Sequence, residues 1–155
     1  MNNIYEKLQE VTNFSHISSN YNALICDIWG VIHNGQELFA GINECLINYK
    51  DKNGVVILLS NAPRPSSYVK NVLNDLGLSE NCYDEIITSG DLTRKALNDK
   101  VFGDNCYHIG PKRDLNIFEG TEVTRVDFKD ADFLFITGLF NDEREDESDY
   151  IDLLN

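Results

Sequence analysis

Asp27 closes the apolar run "ALICD" and opens the segment "IWGVIHNG", in which Gly30 and Gly35 allow tight turns of backbone beside a ligand. A carboxylate in that position can serve as a nucleophile toward phosphorus or as a ligand for magnesium. A second apolar run, "VVILLS", ends in Ser60 and Asn61 and leads through "NAPRPSS" to a helix start. A hydroxyl and unpaired backbone N–H groups there could hold a phosphate, and Arg64 adds a permanent positive charge. Each of these residues also has an ordinary explanation. Asp27 can simply end a strand in a turn, Ser60 and Asn61 can cap a helix entry, and Arg64 can be a surface charge.

Strand-like and helix-like patterns alternate along the chain: "ALICD", "INECLINYKDK", "VVILLS", "PSSYVKNVLNDLG", "EIIT", "DLTRKALND", "CYHIG" and "DFLFITG". This alternation predicts a doubly wound, parallel α/β sheet whose Val/Ile/Leu-rich strands are buried on both faces by helices. The punctuation agrees: Gly41 opens the first main helix, Gly54 closes it, Pro65 begins the next and Gly77 stops it. Ligands of such sheets bind beyond the carboxyl ends of the strands. The residues to inspect are therefore Asp27, Ser60 with Asn61, Thr88 with Ser89, Gly110 and Gly138. Tyr49, Tyr68, Leu73 and Leu76 fall at helical spacing and read as core. His108, at a strand end, reads as a hydrogen-bonded packing residue.

Composition narrows the class. With 155 residues, 42% of them apolar, the chain fits one domain with a real core, and no apolar run approaches the roughly 20 residues of a membrane span. "MNNIYEKLQEVTNF" lacks the shape of a secretory signal, and Ile4, Leu8 and Val11 repeat at helical spacing, so a short amphipathic helix in a cytoplasmic protein is expected. Cys26, Cys45, Cys82 and Cys106 are scattered without a CxxC pair, which argues against a thiolate metal site. A net charge of -13 disfavours general affinity for nucleic acid but not for a small phosphorylated molecule held by local donors or a metal. The acidic stretch "NDEREDESD", Asn141 to Asp149, reads as a solvated loop and helix start.

Taken together, "ALICDIWGV" and "VVILLSNAPR" resemble the first two motifs of the haloacid dehalogenase-like (HAD) hydrolases, an apolar strand ending in a nucleophilic Asp and another ending in Ser or Thr. "HNGQELFAGINECL", "LLSNAPRPSSYV" and "YDEIITSGDLTRKAL" are similar in order and spacing to subfamily IIA, the N-acetylglucosamine-phosphate phosphatase-like branch. "HIGPKRDLNIFEG" and "TGLFNDE" extend the likeness to a subgroup with Asp-x-Trp-Gly-Val at the first motif. The resemblance covers about Tyr21 to Leu154.

The resemblance implies a HAD/Rossmann-like core acting on a small phosphorylated metabolite with Mg2+. By position, Asp27 would attack phosphorus and ligate the metal, and the Trp29 backbone carbonyl would be a second ligand. Ser60 and Asn61, with Arg64 nearby, would bind the phosphoryl group. Trp29 stands where these phosphatases usually carry the acid that protonates the leaving group, and an indole cannot shuttle a proton. His33 is a titratable group in the same loop, though a loop His is more commonly a surface residue or turn hydrogen-bonder.

The family's later Lys and acid pair have no counterpart in register. Lys112, Arg113 and the acids from Asp142 to Asp149 are weak substitutes. The implied organisation is an N-terminal helix and lead-in over 1–20, core and approach to the cap over 21–138, and the start of a truncated, inserted cap over 139–155. An incomplete core of this kind is expected to be inactive alone. It is also expected to leave open sheet edges that invite self-association or a C-terminal partner fragment. A non-catalytic fragment that binds a partner through its open sheet is the competing expectation. A receiver-like signalling domain fits less well, because its acid pair and late Lys are absent.

Overall fold

The computed structural model describes residues 11–141 and 143–154. The expected N-terminal helix falls mostly on residues 1–10, outside the described part; a short α1 spans Ser15–Ser18. Strands β1 (Ala23–Asp27), β2 (Val55–Ser60) and β3 (Glu85–Thr88) form a parallel sheet in the order β1-β2-β3. The connections between them are α2 (Ile42–Lys50) and α3 (Ser66–Asp75), and α4 (Ser89–Asn98) follows β3 directly. β4 (Asn105–Ile109), β5 (Thr124–Arg125) and β6 (Phe133–Ile136) form a second parallel sheet with β4 in the middle. A last helix, α5, covers Ile151–Leu154 after a turn of 3-10 helix at Glu147–Tyr150 capped by the Asp146 carboxylate.

The glycines act where the sequence places them. Gly41 takes φ 78° at the start of α2, and Gly77 takes φ 93° just beyond the end of α3. Both are left-handed conformations that other residues adopt only at a cost.

Alternation along the strands decides which face is covered. Cys26, Val56, Leu58 and Ile86 point to one side and pack with Leu46 and Tyr49 of α2 and Val69 and Leu73 of α3. Their neighbours point to the other side, where Ile25 is 67% exposed, Val55 44% and Leu59 45%. Burial of the first sheet on both faces, expected from its unbroken apolar strands, therefore does not hold among the described residues. α2 and α3 both cover the same face, and the opposite one stays largely open. β1 pairs only with β2, which leaves its other edge unpaired among the described residues.

Candidate active site

Asp27 and Ser60 end neighbouring strands. The register pairs Asp27 with Leu59, so Ser60 lies one residue further along the same carboxyl edge. Beyond that edge a cavity of about 480 Å³ opens between the two sheets. It is lined by Trp29 and His33 of the loop after β1, by Ser60 at the end of β2, and by Asn61 and Arg64 of the loop that follows. Tyr68 of α3 adds to the wall, Arg113 and Asp114 come from the 3-10 segment Lys112–Phe118 after β4, and Thr137 from the residue just past β6. The volume suits a small metabolite.

The structure thus brings Trp29, Ser60, Asn61 and Arg64 to one place. Asp27 sits beside them on the adjacent strand end but does not line the cavity; it is exposed, and its Oδ1 accepts a hydrogen bond from the Ile28 N–H at 2.7 Å. The Ser60 hydroxyl accepts from the Ala62 N–H at 3.1 Å, which turns the chain back on itself at the end of β2.

The loop from Ser60 to Ser66 is held from below by the "TSGD" segment. Thr88, fully buried, caps α4 by accepting from the Asp91 N–H at 3.0 Å. The Gly90 N–H donates to the Ala62 carbonyl at 3.1 Å. A Cβ on Gly90 would lie 2.4 Å from the Arg64 backbone, so only glycine admits this approach. Asp91 accepts from the Ser66 N–H with both carboxylate oxygens, at 3.1 and 3.0 Å. Pro65 precedes α3 without a side-chain cap, so Asp91 supplies from α4 the cap that α3 lacks. The Ser66 amide, a candidate phosphate donor by sequence, is therefore already taken by a carboxylate.

Arg64 is anchored on two sides. Its Cζ lies 4.6 Å from the centre of the Tyr68 ring, and its Nε is 3.8 Å from Oδ1 of Asp114, which is 4% exposed. Tyr68 is 39% exposed and faces the cavity, contrary to its expected place in the core. Leu73 and Tyr49, read the same way, are buried. α3 turns its buried stripe through Val69 and Leu73, and Tyr68 lies off that stripe.

His33 is 7% exposed, and its Nδ1 accepts a hydrogen bond from the Gly35 N–H at 2.8 Å. Burial lowers its affinity for a proton. Both facts favour the neutral ring with its hydrogen on Nε2, since a proton on Nδ1 would face the Gly35 N–H. His33 is thus a turn hydrogen-bonder, a poor proton donor at neutral pH. His108 packs against Phe118 and Phe135 and lies 3.0 Å from the Thr137 hydroxyl, which matches its expected packing role.

Among the described residues, no group of three or more His, Cys, Asp or Glu side chains could hold a metal ion. Asp27 offers one carboxylate, with one oxygen already engaged. These residues do not fit Mg2+ by themselves. Sequence reasoning missed Asp114 and Thr137 and named Arg113 only as a weak substitute for a later motif; no local pattern marks their place at the cavity, which they reach from the segments that follow β4 and β6. It also missed the positioning role of Gly90 and Asp91, although the "TSGD" segment was visible.

A family model described as haloacid dehalogenase-like hydrolase matches residues 24–124. Among solved structures, a haloacid dehalogenase-like family hydrolase from Brucella suis 1330 is 38% identical with a TM-score of 0.81, over 91% of this chain and 51% of that one. NagD from E. coli K-12 is 24% identical, with a TM-score of 0.56 over 74% of this chain and 45% of its own. A glycerol phosphate phosphatase from Mycobacterium tuberculosis, solved with magnesium, is 20% identical, with a TM-score of 0.59 over 86% and 40%. The last two likenesses speak to the fold. The chain spans about half the length of these structures or less. No curated protein matches it.

Proposed function

The chain belongs to the haloacid dehalogenase-like hydrolase family, and on that premise we propose that it carries the nucleophile-bearing part of a phosphomonoester hydrolase of the NagD-like branch. The observation that carries this reading is the convergence of Ser60, Asn61 and Arg64 on one cavity beside the strand end that bears Asp27. In the reaction an Asp27 carboxylate oxygen bonds to phosphorus as the bond to the leaving oxygen breaks. That oxygen keeps the electron pair and takes its proton from water, because position 29 offers none. Water then splits the aspartyl-phosphate, returning the carboxylate and releasing inorganic phosphate. Ser60 and Asn61 steady the phosphoryl oxygens, and Arg64 offsets their charge.

Magnesium, when bound, would neutralise phosphoryl charge; Asp27 and the Trp29 carbonyl would be two of its ligands, fewer than the ion takes. The 155-residue chain alone is accordingly proposed to be inactive. The cytoplasm is the proposed location, supported by Cys26, Cys45, Cys82 and Cys106 all being free thiols. Among the described residues no helix is long and apolar enough to cross a membrane.

A second reading, a binding module that engages a partner through its open sheet, is favoured by the exposed Ile25, Val55 and Leu59. One experiment separates the two. Phosphate release from a panel of phosphomonoesters with Mg2+ is measured for the chain alone and with the C-terminal half of the Brucella hydrolase. The enzyme reading expects turnover only in the mixture and its loss in Asp27→Asn. Association without turnover would support the binding module, and turnover unaffected by Asp27→Asn would remove the nucleophile assignment.

A further inference from the structure

Trp29 is the chain's single tryptophan, it lines the cavity, and it is 66% exposed. An indole left in water forfeits the burial that usually repays so large a side chain. Yet it is not loose. Gly35 takes φ 94°, and a Cβ built there would fall 2.4 Å from the indole edge, so the ring is seated against bare backbone. His33 meets it edge to face, with ring centres 5.4 Å apart, and His33 is itself pinned by the Gly35 N–H.

The other aromatic rings of the cavity are occupied. The Arg64 guanidinium covers the Tyr68 ring, and His33 is almost wholly buried. Trp29 is therefore the most exposed aromatic ring of the cavity lining. The cavity is also polar at one end, with Ser60, Asn61 and Arg64, and apolar along α3, where Val69, Val72 and Leu73 form its wall.

We propose that Trp29 forms the leaving-group subsite of this cavity and selects phosphomonoesters whose leaving group is a planar ring. The inference rests on the phosphomonoester reading above and adds the class of substrate. Two lines of chemistry converge on it. A held indole stacks on a flat ring, and a site without a proton donor at this position works best on a leaving oxygen that departs without one. An aryl oxygen does so far more readily than an alkyl oxygen, because its negative charge spreads into the ring. General acid help, worth about 10²–10⁴ in rate where it operates, is then dispensable.

The test is equilibrium binding to the whole chain by calorimetry, with phenyl phosphate, glycerol phosphate and inorganic phosphate as probes. Wild type is compared with Trp29→Phe and Trp29→Leu, and the single indole N–H resonance locates the ring in the wild type. Phenyl phosphate is expected to bind about five- to tenfold more tightly than glycerol phosphate, with the preference kept in Trp29→Phe and erased in Trp29→Leu. Equal affinity for the two esters, or a preference that survives in Trp29→Leu, would overturn the subsite while leaving the phosphate site standing. Failure of all three probes to bind would overturn both.

Discussion

Asp27 and Trp29, two residues apart, take different places: the carboxylate stands on the strand end, and the indole faces the cavity. Asp27 and Ser60 were legible because apolar strands that end abruptly in a polar side chain leave a local pattern. His33 was legible only as a turn former, and its environment makes a pH prediction. Burial lowers the proton affinity of both His33 and His108; for His108 the nearby Arg125 pushes the same way and Asp114 opposes it. The unfolded chain, with ordinary imidazoles titrating near about 6.5, therefore binds protons more readily than the folded one as pH falls. The stability contributed by these neutral rings is complete above that value and declines as pH drops through the lowered folded values. Urea titrations should show a lower midpoint at about pH 5.5 than at about pH 7.5, and a smaller difference in the double variant His33→Asn, His108→Asn. An equal drop in that variant would assign the loss to other groups.

At the scale of elements, the cavity loop after β2 keeps its shape because α4 grips it. Replacing Gly90 by Ala would gain up to about 1 kcal/mol of helix propensity but force a Cβ to within 2.4 Å of the Arg64 backbone. Overpacking of that kind costs about 1–3 kcal/mol, so Gly90→Ala should destabilise the chain in chemical denaturation despite lying in a helix. Asp91→Ala, which strips α3 of its borrowed cap, should cost about 1–2 kcal/mol by the same measurement. Wild-type stability in either variant would show that the clamp does not hold the loop. β1, β2, β3, β4 and β6 could be read from apolar runs, and α2 and α3 from periodicity with their flanking glycines and proline. β5 could not, because it is two residues long and exists only through its pairing with β4. Nor could the cap that Asp91 lends to α3, which joins residues 25 positions apart.

For the whole molecule, the open face of the first sheet is the dominant physical fact. Sequence alone gave these strands the look of a fully buried sheet, since an apolar run carries no record of which face a helix covers. Exposed Ile25, Val55 and Leu59 beside the edge of β1 that is unpaired among the described residues should bind an apolar dye such as ANS and promote self-association. Sedimentation should show species heavier than the 17.6 kDa monomer, and Ile25→Lys with Val55→Lys should reduce both signals. A purely monomeric, dye-silent wild type would contradict this. The chemistry itself is tested most directly by trapping its intermediate. The chain, mixed with Mg2+ and the C-terminal half of the Brucella hydrolase, is incubated with phenyl phosphate radiolabelled at phosphorus, quenched in acid and digested, and the labelled peptide is identified by mass spectrometry. The account predicts label on Asp27 and none in Asp27→Asn; label on any other residue, or none at all in the wild-type mixture, would contradict it.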